Sequence, residues 1–125
     1  MLFDTDVIIW ALRGNTKASA RIDSSTTLHL SVVSYMELLK GARDKREQKA
    51  IQAFLRDQGF EQLPVTSSIS HRAVIYVEEF ALSSGLELAD ALIAATACEH
   101  QLSLCTANDK HYRVVTDLEI NRFRP

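Results

Sequence analysis

The segment Ala89-Asp90-Ala91-Leu92-Ile93-Ala94-Ala95-Thr96-Ala97-Cys98 restricts the fold more than any other stretch, because it is apolar nearly all round. A helix without a polar face is central and buried, so the chain needs further layers to cover it. The rest of the sequence supplies strands and amphipathic helices in alternation. Leu2-Phe3 ahead of Asp4, Thr27-Leu28-His29-Leu30, Gln62-Leu63-Pro64-Val65, Leu102–Thr106 and Leu118-Glu119-Ile120 read as short strands, with Pro64 marking an edge. One helix runs from Asp6 as N-cap through Val7-Ile8-Ile9-Trp10-Ala11-Leu12 to Gly14, and another from caps among Ser31–Ser34 to Gly41. Asp44 to Gln58 repeats Ala50, Ile51, Phe54 and Leu55 at the helical period. Ser67 opens a helix that ends at Gly85 and buries Ile69, Ala73, Val74, Val77, Phe80 and Ala81. This order predicts an α/β fold around a mostly parallel sheet, with ligands beyond the C-terminal ends of the strands.

The 125 residues suit a single domain over 1–125. A net charge of −2 excludes the broad basic field of a protein that holds nucleic acid by charge alone. Six bases nevertheless lie in Lys40, Arg43, Lys45, Arg46, Lys49 and Arg56, whereas Ala73 to Glu99 contains no Lys or Arg. No apolar run reaches the roughly 18 residues that span a bilayer, and Met1-Leu2-Phe3-Asp4 meets a carboxylate too early for a signal peptide. Cys98 and Cys105 read as reduced thiols without metal spacing. The expectation is a cytoplasmic location with no membrane partner.

Three acids occupy unusual places. Asp4 directly follows a buried strand, Glu37 interrupts an apolar helical stretch, and Asp90 heads the most apolar helix. Each has an ordinary role available: Asp4 as a turn cap, Glu37 paired with Lys40 or Lys45, Asp90 facing a helix dipole. The topology brings a strand end and two helix starts to one crevice, however, and Asn108-Asp109 after Leu102–Thr106 reaches the same edge. Buried carboxylates without matching bases need a hard cation, and Mg²⁺ or Mn²⁺ prefers oxygen ligands. The residues alone therefore predict metal-dependent phosphoryl transfer.

At these residues the chain resembles the PIN-domain family, and within it the VapC-type ribonuclease toxins of toxin–antitoxin pairs. The resemblance lies in Leu2-Phe3-Asp4-Thr5-Asp6-Val7-Ile8-Ile9, in Ser31-Val32-Val33-Ser34-Tyr35-Met36-Glu37-Leu38 with Gly41, and in Ala89-Asp90-Ala91-Leu92-Ile93-Ala94-Ala95-Thr96-Ala97 after Gly85. It continues through Leu104-Cys105-Thr106-Ala107-Asn108 ahead of His111-Tyr112, so four blocks in the family's order span almost the whole chain. It implies a three-layer α/β/α sandwich and an acidic pocket in which Asp4, Glu37 and Asp90 hold Mg²⁺ or Mn²⁺. Asn108 stands at the family's fourth acidic position, with Asp109 beside it as the alternative, and Asp6 replaces the usual Asn of the opening block. The implied partners are an RNA substrate and a cognate small antitoxin, while the surplus of Leu, Ile, Val and Tyr across Val7–Leu12 and Val32–Leu39 predicts a homodimer.

Thr5, Ser34 and Thr106 are candidates to orient carboxylates or waters, and Asp6 either adds charge near the metal or caps its helix. His111, Trp10 and Tyr35 read as surface or packing residues. The basic residues from Lys40 to Lys49 either track an RNA backbone or form a solvated face. The apolar surplus of Val7–Leu12 and Val32–Leu39 suits a groove for a partner's amphipathic helix, or self-association. Two other functions compete. Asp4-Thr5-Asp6-Val7 also resembles the opening of haloacid-dehalogenase-type phosphatases, although Asn108-Asp109 lacks the glycine of their late acidic pair. A catalytically silent PIN-like module that only binds a partner is the other alternative.

Overall fold

Five strands, each of two or three residues, make one wholly parallel sheet in the computed structural model, which describes all of residues 1–125. They are β1 (Leu2–Phe3), β2 (His29–Ser31), β3 (Glu61–Leu63), β4 (Leu104–Thr106) and β5 (Ile120–Arg122), in the order β3-β2-β1-β4-β5. Seven helices connect them: α1 (Thr5–Leu12), α2 (Thr16–Asp23), α3 (Val32–Lys40), α4 (Lys45–Gln58), α5 (Ser67–Ser84), α6 (Leu88–Glu99) and α7 (Asp109–Tyr112). From the central β1 the chain moves to β2 on one side, and later returns to β4 on the other. The crevice between the C-terminal ends of β1 and β4 is therefore the switch point, where α/β sheets place their ligands.

Strand alternation divides the interior in two. Leu2 and Leu104 join one core with Ile69, Ala73 and Tyr76 of α5 and the buried residues of α6. Phe3, Leu30 and Cys105 point the other way, onto Val7, Ile8 and Ala11 of α1, Ile22 of α2, and Ile51 and Leu55 of α4. This is the three-layer α/β/α sandwich. In α6, Ala91 and every residue from Ile93 to Ala97 are buried, as its lack of a polar face requires. Its alanines carry no bulk, so the helix packs close to α5. No helix is long and apolar enough to cross a membrane.

The helix limits follow local chemistry. Asp44 accepts from Glu47 N at 2.8 Å and Thr66 from Ile69 N at 3.2 Å, capping α4 and α5. Gly59 and Gly85 end the same helices at φ 84° and 68°, a region costly for a residue with a Cβ.

Several expectations need correction. Asp4, not Asp6, is the N-cap of α1, so no turn separates β1 from that helix and Asp6 lies in its first turn. The second strand is His29–Ser31 rather than Thr27–Leu30, because Ser31 both ends β2 and caps α3 by accepting from Val33 N at 3.0 Å. The fourth strand begins at Leu104, and the last is Ile120–Arg122 rather than Leu118–Ile120. Ala107–Asp109 leads directly into α7 instead of forming only a turn. On α5, Val74 is 54% exposed and Tyr76 is buried in its stead. The sequence reading also omits α2, a helix capped by Asn15 that buries only Ala18 and Ile22.

Candidate active site

Asp4 anchors the pocket. Its backbone N–H donates to Cys105 O at 2.9 Å, tying the end of β1 to β4, and its side chain is 5% exposed. Oδ1 accepts from Thr5 N at 2.8 Å and Oδ2 from Thr106 Oγ1 at 2.8 Å. Thr106 Oγ1 accepts in turn from Asn108 N at 2.9 Å, so one buried hydroxyl fixes the carboxylate and the turn after β4 together. Asp6 ties the same two segments: Oδ1 accepts from Val7 N at 2.7 Å and Oδ2 from Ala107 N at 3.0 Å.

Asp90 enters from the first turn of α6. Its Oδ1 accepts from the Tyr112 hydroxyl at 3.3 Å, and His111 Nδ1 lies 3.7 Å from Oδ2. Glu37, exposed on α3, reaches the same edge through Thr5 Oγ1, which donates to its Oε1 at 2.6 Å. Thr5 thus bridges two acids, its N–H on Asp4 and its hydroxyl on Glu37.

Electrostatically the pocket is uncompensated. Burial, then the charges of Asp6 and Asp90, push Asp4 up to about 7, against the lowering effect of Thr106 and Thr5. Asp6 is raised by burial, which outweighs its backbone donors, and Asp90 by burial despite His111 and Tyr112. None of Asp4, Asp6, Glu37 and Asp90 is paired with a lysine or arginine. Such a donor set, oxygen-only and short of positive charge, fits a hard divalent cation. No three His, Cys, Asp or Glu side chains stand close enough together to hold one ion directly. The residues therefore suit a cation gripped by one or two carboxylates, with water or a phosphate completing its shell, as Mg²⁺ prefers.

The remaining candidates are placed less directly. Asn108 is exposed, and its side chain makes no cap bond to α7. Asp109 turns away to Arg124, whose Nη2 donates to Oδ1 at 2.8 Å, with Arg113 at 3.8 Å. The Arg124 contact holds its pKa below the usual carboxylate range. Arg124 Nη1 also donates to Ala107 O at 3.1 Å, so the chain end braces the turn behind the pocket. Ser34 is fully buried on α3, and its hydroxyl has no hydrogen-bond partner. His111 and Tyr112, which the sequence reading leaves outside the site, both contact Asp90. Their adjacency on one short helix is the signal, but only the fold shows that α7 faces the start of α6.

On the far side of Glu37 from Thr5, a groove of about 740 Å³ lies between α1, α3 and α4, lined by Glu37 itself and by Ile9, Leu12, Leu38, Ala42 and Ile51. Much of the apolar surplus is used inside the protein, since Val7, Ile8, Ala11, Val33 and Leu38 are core. Tyr35 accepts from Gln52 Nε2 at 3.1 Å, and Arg43 closes on Glu47 at 2.7 Å.

Residues 1–117 match the PIN domain family model. Ribonuclease VapC10 of Mycobacterium tuberculosis is 37% identical over 127 residues, covering 95% of this chain and 90% of the relative. Among solved structures, a toxin–antitoxin complex from Klebsiella pneumoniae contains a chain that is 26% identical, with a TM-score of 0.80 and 98% of each chain covered. VapBC2 from Rickettsia felis, bound to a DNA fragment from its promoter, shares the fold at a TM-score of 0.85, 16% identity and 98% coverage of each chain. The match over residues 1–117 leaves the haloacid-dehalogenase resemblance confined to the short opening block. Sequence blocks, sheet order and relatives agree that this chain belongs to the PIN-domain family, among its VapC-type members.

Proposed function

We propose that the chain is a Mg²⁺- or Mn²⁺-dependent endoribonuclease, the toxin of a toxin–antitoxin pair, acting in the cytoplasm. The observation that carries this reading is Asp4: a buried carboxylate at the β1/β4 switch point, facing Asp6 and Asp90, with only neutral donors. The ribonuclease relative at 37% identity supplies the substrate class. In this reading Asp4 and Asp90 hold the cation, with Glu37 and Asn108 at its edge. A bound divalent cation supplies positive charge against a phosphodiester and acidifies nearby water.

The protein's own groups do the positioning. Thr106 and the Thr5 N–H keep both Asp4 oxygens oriented, and Thr5 Oγ1 keeps Glu37 turned toward the same edge. Asp6 holds the Ala107 turn and leaves Asn108 exposed at the rim. In the reaction a water oxygen bonds to phosphorus and the bond from phosphorus to the 3′ oxygen breaks. One fragment keeps a 5′-phosphate; the other takes the proton as a 3′-hydroxyl. No ribose 2′-hydroxyl takes part, which separates this route from ribonucleases that leave a 2′,3′-cyclic phosphate. Cleavage of a labelled single-stranded or loop RNA is expected to stop in EDTA and return with Mg²⁺ or Mn²⁺. Cyclic-phosphate ends, or undiminished activity in EDTA, would refute the mechanism. Metal-independent partner binding without any cleavage would favour the silent module.

The groove beside Glu37 is the proposed seat of an antitoxin helix, supported by its apolar lining and by the toxin–antitoxin complexes among the structural neighbours. Homodimer formation is proposed on the exposed Val74, Ile75, Leu82 and Leu88 of α5 and α6.

A further inference from the structure

Tyr112 is 1% exposed and among the largest fully buried side chains. A phenylalanine would fill the same volume and bury the same ring, so packing accounts for everything but the hydroxyl. That oxygen is hydrogen-bonded to Asp90 Oδ1 at 3.3 Å, and the charges of Asp4 and Asp90 both act on it. Toward the Asp90 carboxylate the phenol is the donor. Asp90 has reason to need such a donor: it lies in the first turn of a helix whose other residues are mostly apolar, and it faces Asp4 across the pocket with no lysine or arginine on either acid. The charge of Asp90 acts on Asp4, and the hydrogen bond from Tyr112 opposes any turn of the Asp90 carboxylate away from it. With Oδ1 occupied by Tyr112, Oδ2 is the oxygen left on the side of His111.

We propose that Tyr112 is a positioning residue, whose hydroxyl holds Asp90 so that its second oxygen stays available to the cation shared with Asp4. The proposal rests on the metal-dependent reading above and adds a residue to it. Donors that orient a liganding carboxylate typically change metal affinity by about 10–100-fold when removed. The full-length wild type and Tyr112→Phe are compared by calorimetric titration with Mn²⁺ alone, and then in RNA cleavage at varied Mn²⁺. Tyr112→Phe is expected to bind Mn²⁺ about tenfold more weakly. The Mn²⁺ concentration for half-maximal cleavage should rise by the same factor, while KM for RNA at saturating Mn²⁺ stays unchanged. A merely structural role would lower Tm and leave Mn²⁺ affinity alone, which would overturn the proposal; so would equal or tighter binding by the variant. Should the variant fail to fold, wild type labelled with 3-fluorotyrosine decides. The Tyr112 fluorine signal, assigned by elimination with Tyr35→Phe and Tyr76→Phe, must shift with Mg²⁺ along the saturation curve of a calorimetric Mg²⁺ titration of the wild type, and an unmoved signal overturns the proposal. Failure of the wild type to bind Mn²⁺ at all would instead overturn the metal reading itself, a result distinct from binding that is equal in both proteins.

Discussion

Replacing Asp4 by asparagine should destroy cleavage and yet stabilise the metal-free protein. Burial and the charges of Asp6 and Asp90 raise Asp4 from 3.8 to about 7 in the folded chain. A raised carboxylate binds its proton more tightly when folded than when unfolded, so stability falls as pH rises from the unfolded value to the folded one. The loss begins near pH 4 and is complete just above pH 7. A shift of about three units corresponds to roughly 4 kcal/mol of destabilisation at pH 8. The asparagine carries no charge, but its amide nitrogen can no longer accept from Thr106 Oγ1, at a cost of about 1 kcal/mol. The net gain for Asp4→Asn at pH 8 is thus about 3 kcal/mol, or an increase in Tm of roughly 10 °C for a chain of this size. At about pH 4, where the wild-type carboxyl is already protonated in the folded chain, the variant should be no more stable than wild type. Thermal unfolding in EDTA at the two pH values measures this directly. Mg²⁺ should then raise the Tm of wild type but not of Asp4→Asn, since only the former gains from a ligand of the native state. A variant less stable than wild type at pH 8, or a difference independent of pH, would refute the charge argument.

Thr106→Val keeps the shape of a fully buried side chain while removing the donor to Asp4 and the acceptor for Asn108 N. It should cost about 1.5–3 kcal/mol at pH 8, where the partner is charged, and closer to 1 kcal/mol at pH 5; urea unfolding at both values would show it, and an equal loss at both would count against the role given to Thr106. Leu12→Glu alters an exposed residue of the groove and should move stability by no more than about 0.5 kcal/mol. Co-purification of a small partner should be lost while RNA cleavage by the isolated chain persists, and retained binding would remove the groove from the partner's path.

What could be read in the sequence was whatever rested on a single residue's local chemistry or on strong periodicity. The apolar α6, the capped and glycine-ended α4 and α5, and the proline after β3 each announce themselves without tertiary context. The segment Thr16–Asp23 does not, because it buries just Ala18 and Ile22, and two contacts one turn apart make no pattern. The strand limits slipped for a related reason. Two- and three-residue strands have almost no period, and their ends are set by what the next helix needs, as when Ser31 leaves β2 to cap α3. The site divides along the same line. Asp4, Glu37 and Asp90 stood out because each sets a charge within apolar sequence, where burial would make charge unfavourable, although Glu37 proves to be exposed on α3. The groups that control those acids are hydroxyls and amides with ordinary local roles, and their partners lie far along the chain: Thr106 on Asp4, Ala107 N on Asp6, Tyr112 on Asp90. Asp109 shows the converse error a sequence invites. Adjacent to Asn108 and acidic, it suits the pocket by composition, but Arg124 near the chain's end claims it and turns its charge into a brace. A carboxylate's use is decided by which cation reaches it first. In this fold Arg124 settles that for Asp109, while Asp4 has no basic side chain to settle it.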